Sequence, residues 1–147
     1  FWIAIHCRPA PGPPTTTAGW TIARAAAEGV LALAREAGAP PARLLVSVGP
    51  SIGPCCYEVS PDLAARFREE IGREAVREGA PPRLDLWAAN AAVLGAAGVP
   101  PGRVEILRRC TACERDLFFS HRRDAGRTGR QVAFIAPRPP TGGGSLP

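Results

Sequence analysis

The segment Gly49–Val59, GPSIGPCCYEV, constrains the fold more than any other part of this sequence. The run before it, Leu44–Val48, is apolar and β-branched, which is typical of a short buried strand. Glycines and prolines within the segment exclude regular structure, and Ser60-Pro61 then supplies the N-cap and first residue of a helix. We therefore predict a stiff loop that holds Cys55-Cys56 at a strand's carboxyl end, where α/β folds place ligand-facing groups.

The cysteines leave three interpretations open. In the first, Cys55 and Cys56 are structural thiols, because free cysteine is among the most buried residue types. In the second, they join Cys110 and Cys113 in a non-catalytic zinc-binding module, although the usual signature is two C-x-x-C pairs. In the third, Cys55 or Cys56 is a nucleophile with a histidine as its base. Because the chain has five cysteines and no secretory signal pattern, we expect no disulfide framework.

Two histidines, His6 and His121, are the candidate bases. His6 follows the apolar run Trp2–Ile5, a position that suits a metal ligand, a base or a hydrogen-bonded histidine at a strand edge. His121 precedes Arg122-Arg123, whose guanidinium groups are suited to phosphate and other oxyanions. An arginine next to Asp124 is also typical of a solvated ion pair.

Strand-like and helix-like apolar patterns alternate along the chain, which predicts an α/β or α+β domain. Gly38 is the expected C-cap of the first helix, and Asp85 opens the third. The expected strands are Trp2–Ile5, Leu44–Val48, Val104–Leu107 and Gln131–Ala136; the expected helices cover residues 22–37, 61–76 and 86–97. Cys7–Thr17 is predicted to be an exposed loop and Pro137–Pro147 a disordered tail.

Composition limits the location and the partners. No apolar run approaches the ~20 residues of a membrane span and no signal peptide begins the chain, so a cytoplasmic protein is expected. All 18 basic residues are arginine, which excludes Schiff-base and P-loop lysines. The net charge of +5 is scattered rather than set in a basic stripe, which favours anionic small ligands over nucleic acid. The absence of methionine predicts a fragment or a processed piece.

Three segments together closely resemble a known family. They are GPSIGPCCYEV, then LDLWAANAAVLGAAGV, then CTACERDLFFSHRRDAGRTGRQVAFIA. Their order and spacing resemble the C-terminal part of the YfiH-like laccase-domain proteins, once called polyphenol oxidoreductases. Ala18-Gly19-Trp20 with the TIARAAAEGVLAL stretch after it resembles the family's sequence at and beyond its H-A-G-W-R-G motif. The resemblance covers residues 18–136.

The resemblance implies a partial laccase domain over residues 1–136, with its N-terminal part missing. Its fold would be α/β (α+β), a mixed β-sandwich core with flanking helices, related to cysteine-hydrolase-like toxin domains. It would carry a single zinc, earlier reported as copper, bound by two histidines and one cysteine with a fourth position open for water or substrate.

The same resemblance implies purine nucleoside phosphorylase activity. The substrates would be phosphate and adenosine, inosine, guanosine or methylthioadenosine, with adenosine deamination as a further activity. By analogy, Arg122 and Arg123 are the expected substrate-binding residues, because arginines would hold the phosphate and stabilise the charge that develops.

The chain departs from the family at the zinc site. Two of the family's ligands lie in an N-terminal region that this chain does not contain. The third is the histidine of H-A-G-W-R-G, where Thr17 stands here, and Thr21 replaces the arginine. His6 is therefore the one expected zinc ligand and catalytic residue, with Cys7–Thr17 an inserted or out-of-frame stretch. We expect little activity from this chain by itself, and an exposed sheet edge that promotes aggregation or dimerisation.

Overall fold

The computed structural model describes residues 28–132 of the chain in full and residues 2–5 through their backbone. Its five strands are β1 Trp2–Ile5, β2 Leu45–Val48, β3 Val76–Arg77, β4 Arg83–Leu84 and β5 Val104–Ile106. Its helices are α1 over residues 28–36, α2 Pro61–Glu70 and α3 Leu86–Ala96. Helices and strands alternate, so the predicted α/β class is confirmed.

Three of the strands form a parallel sheet in the order β1-β2-β5. Ile5 pairs with Val48, and Val48 pairs with Ile106. Within β2, Val46 and Val48 are buried while the alternate residues are half-buried, as expected for a strand in a core. Because the strands are parallel, their carboxyl ends meet at one edge of the sheet.

Helix α1 packs Val30 and Ala34 into a core that also contains Val46. Gly38 ends the helix with a φ of +62°, as predicted for its C-cap. Leu33 is 48% exposed, whereas Ala34, one position further on, is 1% exposed and faces the core. The predicted start of this helix lies outside the described residues.

Helix α2 begins as the sequence predicts. The Ser60 hydroxyl accepts a hydrogen bond from the Leu63 N–H at 3.3 Å, and Phe67 is fully buried in a second core cluster. The helix ends at Glu70 rather than at the predicted Val76. Gly72 has a φ of +140°, which is incompatible with a continuing helix, and Val76 belongs to β3.

Helix α3 lies between the two core clusters and joins them. Trp87 and Leu94 pack with the parallel sheet, whereas Leu86 packs in the cluster around Phe67. The helix starts after Asp85 and ends at Ala96, one residue from the predicted end. None of the described helices has the length and apolar character needed to cross a lipid bilayer.

The antiparallel hairpin of β3 and β4 was not predicted. Val76 pairs with Leu84 and Arg77 with Arg83, whereas the sequence predicted a helix up to Val76 and no strand between that residue and Val104. Strands of two residues are too short to show an alternating pattern. Gln131 and Val132, the start of the predicted last strand, lie in no strand. The rest of that strand, the loop Cys7–Thr17 and the tail from residue 137 lie outside the described residues.

Candidate metal centre

Two loops meet at the carboxyl edge of the parallel sheet. One follows β2 and carries Cys55-Cys56, and the other follows β5 and carries Cys110 and Cys113. The parallel pairing of these strands continues beyond their ends, because the Ser51 carbonyl accepts a hydrogen bond from the Thr111 N–H at 3.0 Å. The backbone thus fixes the separation of the two cysteine pairs.

The four cysteine sulfurs of these loops lie within 4.8 Å of one another and form the four-cysteine cluster: Cys55, Cys56, Cys110 and Cys113. The Cys113 sulfur is 3.5 Å from that of Cys55 and 3.4 Å from that of Cys56. Cys110 is buried, whereas Cys55 and Cys113 are exposed. This group of soft ligands could hold a metal ion. The second interpretation of the cysteines required this convergence.

Gly53 lets the first loop approach the second. Its N–H donates a hydrogen bond to the Cys110 sulfur at 3.3 Å. A Cβ at this position would lie 2.6 Å from Cη2 of Trp87 and 3.3 Å from Cβ of Cys110. Only glycine therefore fits between the indole ring and the cysteine.

The thiols of the cluster differ in the direction in which their pKa values are shifted. Burial alone would raise the pKa of Cys110, but N–H donors of Gly53, Cys113 and Ala112 outweigh it and lower that pKa to about 7. Burial raises the pKa of Cys55 above its usual range and that of Cys56 to about 11. A raised pKa favours the protonated thiol over the thiolate. A nucleophilic cysteine acts as the thiolate, so the shifts disfavour the dyad interpretation for both.

Arg122 lies on a third loop, over residues 118–130, which packs against the first loop. Its Nη1 donates to the Glu58 carbonyl at 2.9 Å, and its guanidinium lies 5.1 Å from the centre of the Tyr57 ring. The side chain is exposed, and this is its one hydrogen bond among the residues that the structure describes. Most of its donors are therefore available to a ligand.

Arg123 makes a denser set of contacts. Its Nε and Nη2 donate to the Asp124 carboxylate at 2.8 and 2.9 Å. Its Nη1 donates to the Thr111 carbonyl at 2.9 Å and its Nη2 to the Phe118 carbonyl at 3.1 Å. Arg123 thereby connects the third loop to the C-x-x-C turn.

Asp124 completes this network. Besides Arg123, its carboxylate accepts from the Thr128 hydroxyl at 3.1 Å and the Ser120 N–H at 3.3 Å. The hydrogen bonds from Arg123 are the largest cause of a lowered Asp124 pKa. The sequence indicated a phosphate contact for Arg123, or a solvated ion pair of Arg123 with Asp124, but not this network. The network depends on a turn in which the Asp124 N–H donates a hydrogen bond to the Ser120 carbonyl at 2.9 Å, and the sequence analysis did not predict this turn.

A cleft of about 470 Å³ opens beside Cys55. Arg77 and Arg83 line it, but Arg77 pairs with Asp85 at 2.9 Å and Arg83 pairs with Glu58 at 2.9 Å. Its basic groups are therefore already neutralised by carboxylates. His121 is exposed on the third loop, and His6 lies outside the described residues.

Most of the chain matches one protein family. Residues 16–138 match the family described as multi-copper polyphenol oxidoreductase laccase. The chain belongs to that family. The predicted resemblance to YfiH-like laccase-domain proteins is thereby confirmed.

The curated relatives of this laccase-domain chain have names of two kinds. Purine nucleoside phosphorylase YlmD of Geobacillus stearothermophilus is 47% identical over 103 residues, 67% of this chain and 38% of the relative. A purine nucleoside phosphorylase of Deinococcus radiodurans is 44% identical over 99 residues, again 67% and 38%. Adenosine deaminase RL5, from an unknown prokaryotic organism, is 38% identical over 125 residues, 80% of this chain and 47% of the relative.

Solved structures agree with the laccase-domain fold. The crystal structure of YlmD from Geobacillus stearothermophilus gives a TM-score of 0.65 at 42% identity, covering 76% of this chain and 44% of that one. The crystal structure of YfiH from Bacillus licheniformis gives 0.62 at 37% identity, covering 78% and 43%. The chain spans less than half the length of these relatives.

Proposed function

We propose that this laccase-domain chain takes part in the phosphorolysis of purine nucleosides. In this reaction a phosphate oxygen bonds to the anomeric carbon of ribose, the bond to the base nitrogen breaks, and the base leaves with a proton. The relatives named purine nucleoside phosphorylase carry the proposal. Adenosine, inosine, guanosine and methylthioadenosine are the proposed substrates, and the relative named adenosine deaminase supports adenosine deamination as a side reaction.

Arg122 is the proposed phosphate contact. Its guanidinium is exposed and oriented by the Tyr57 ring and the Glu58 carbonyl, which leaves several N–H donors to form a fork toward an oxyanion. A planar fork that is already positioned loses less side-chain entropy when phosphate binds.

Arg123 is the second proposed phosphate-site residue, and its contacts support a positioning role. Its hydrogen bonds to Asp124, Thr111 and Phe118 hold the turn on which Arg122 lies. Loss of Arg123 should therefore alter phosphate binding through Arg122.

His6 is the proposed catalytic and metal-binding residue, by resemblance. In sequence it follows Ile5, which pairs with Val48 at the carboxyl edge of the sheet. In the described part of the chain, the one group of metal-ligating side chains is the four-cysteine cluster, not two histidines with a cysteine. That donor set does not match the open site implied by the resemblance, so it supports no catalytic step through zinc.

The test is phosphate-dependent release of base from inosine and adenosine, with the Geobacillus relative as positive control. We expect slow release that depends on phosphate. Arg122→Gln should raise the KM for phosphate by about 10- to 100-fold, the range for one charge-assisted hydrogen bond. Arg115→Gln is the matched control, because Arg115 is an exposed arginine on a neighbouring turn, outside the loop that carries Arg122. No release where the relative is active would contradict the proposal.

A second candidate function is a zinc-binding module without catalysis. The convergence of the four cysteines favours it. Zinc bound through these thiols, together with no release of base by the chain, would support this function over phosphorolysis.

A further inference from the structure

We propose that the four-cysteine cluster binds one zinc ion in a closed structural site. This ion would hold in place the third loop, which carries Arg122 and Arg123. This proposal rests on the second candidate function above, the zinc-binding module, and not on phosphorolysis. A tetrahedral zinc with bonds of about 2.3 Å to sulfur separates its ligand sulfurs by about 3.8 Å. Two of the separations in the cluster are 3.4 and 3.5 Å, and all four sulfurs lie within 4.8 Å of one another.

The cluster fits a shared ion better than disulfide bonds. A disulfide requires a sulfur–sulfur distance of about 2.05 Å. Cys113 is nearly equidistant from Cys55 and Cys56, at 3.5 and 3.4 Å, and a disulfide could use only one of them. A metal ion between the loops would use all four sulfurs at once.

The backbone around Cys110 is arranged for a thiolate ligand. The N–H of Gly53, which lies on the first loop, donates a hydrogen bond to the Cys110 sulfur on the second loop at 3.3 Å. Such N–H donors offset the negative charge that four thiolates bring to one ion. Trp87 and Cys110 belong to the same buried core cluster, so the inner side of the site is buried.

The ligand set makes the site structural. Four protein thiolates fill the tetrahedral positions of zinc, so no position is left for water or substrate. Two sequence-distant loops are then held together by one ion, which is the usual role of such sites.

The ion would also fix the positions of Arg122 and Arg123. Arg123 donates to the carbonyls of Thr111 and Ala112, the two residues between the C-x-x-C ligands. Arg122 donates to the carbonyl of Glu58, two residues after Cys56. Both arginines therefore rest on backbone that the zinc would fix.

The first experiment counts zinc per chain in protein purified with zinc present. We expect one zinc in the wild type, and at least a tenfold lower content in Cys110→Ser and Cys113→Ser. Cys7→Ser is the matched control and should keep its zinc, because Cys7 is not among the four. His6→Ala should also keep it, which separates this site from the histidine site that the resemblance implies. Zinc lost with His6 and retained without Cys110 would overturn the proposal.

A second measurement guards against variants that fail to fold. Cys113→His retains a zinc ligand, and it should bind zinc more weakly than the wild type but more tightly than Cys113→Ser. Cobalt in the wild type should give the intense visible bands and thiolate charge-transfer absorption of a tetrahedral sulfur site. Iron in place of zinc, or a mass showing disulfides between these cysteines with no metal bound, would overturn the assignment.

Discussion

Gly53 is the residue on which the close approach of the two cysteine loops depends. We predict that Gly53→Ala destabilises the protein by about 1–3 kcal/mol, the usual cost of forcing an extra methyl group into a packed site. The physical reason is the 2.6 Å approach of the new Cβ to the Trp87 ring. Urea unfolding monitored by circular dichroism would measure the change.

The control for this prediction is Gly95→Ala. Gly95 lies in α3, and a Cβ there would meet nothing within 4 Å. This substitution should stabilise the protein by about 0.5–1 kcal/mol through helix propensity. Equal effects of the two substitutions would contradict the steric explanation.

Asp124 makes part of the stability dependent on pH. Arg123 lowers the pKa of Asp124 in the folded protein below its ordinary value of 3.8. The stabilisation is therefore fully present above the unfolded pKa and is lost as pH falls through the folded pKa. We predict that Asp124→Asn lowers the melting temperature at pH 6 and that its difference from the wild type shrinks as the pH falls below 3.8.

Glu78→Gln is the control for this acid series. Glu78 pairs with Arg68 at 2.8 Å on the surface and is 74% exposed. Surface ion pairs contribute little, so this variant should follow the wild type at every pH. A difference between Asp124→Asn and the wild type that stays constant through the acid range would show that the carboxylate charge is not responsible.

At the scale of elements, the two capped helices differ in what their caps do. Asp85 is 1% exposed; it accepts from the Ala88 N–H at 3.0 Å and pairs with Arg77 at 2.9 Å. Ser60 is exposed and accepts one hydrogen bond from Leu63. We predict a loss of about 2–4 kcal/mol for Asp85→Ala, against about 0.5–1 kcal/mol for Ser60→Ala. Chemical denaturation of both variants would measure the ratio, and equal losses would show that the burial of Asp85 adds nothing to its cap.

Local signals were sufficient to predict most elements. Ser60 and Pro61 mark the start of α2, Asp85 marks the start of α3, and the β-branched run before Gly49 marks β2. The predicted end of α2 was wrong because the helix stops before Gly72, whose φ is positive. A glycine permits a positive φ but does not require it, so the sequence does not fix this end. The β3–β4 hairpin depends on pairing across a loop, and short strands show no periodicity.

The candidate site was only partly predictable, for a related reason. A cluster of all four cysteines was one of three interpretations of the sequence. Cys56 and Cys113 are 57 positions apart, and the sequence alone does not show that such distant residues are in contact. The parallel pairing of β2 and β5 brings them together. The network of Arg123 with Asp124 and Thr111 needs a specific turn, and the phosphate role of Arg122 and Arg123 stays a prediction.

At the scale of the whole molecule, zinc should act as a stabilising ligand. A metal that binds only the folded chain adds about 2.7 kcal/mol when its free concentration is 100 times its Kd. We predict that a chelator lowers the melting temperature and that added zinc restores it. The variant Cys110→Ser should show neither effect, whereas Cys7→Ser should behave as the wild type. A wild-type melting temperature that does not respond to zinc would contradict this prediction.

The most direct test of the four-cysteine zinc site is zinc X-ray absorption spectroscopy of the purified chain, which identifies the atoms bound to the metal. We predict a single shell of four sulfur atoms at about 2.3 Å from the zinc. A shell containing nitrogen at about 2.0–2.1 Å would contradict this prediction, because histidine would then hold the ion in place of the four cysteines.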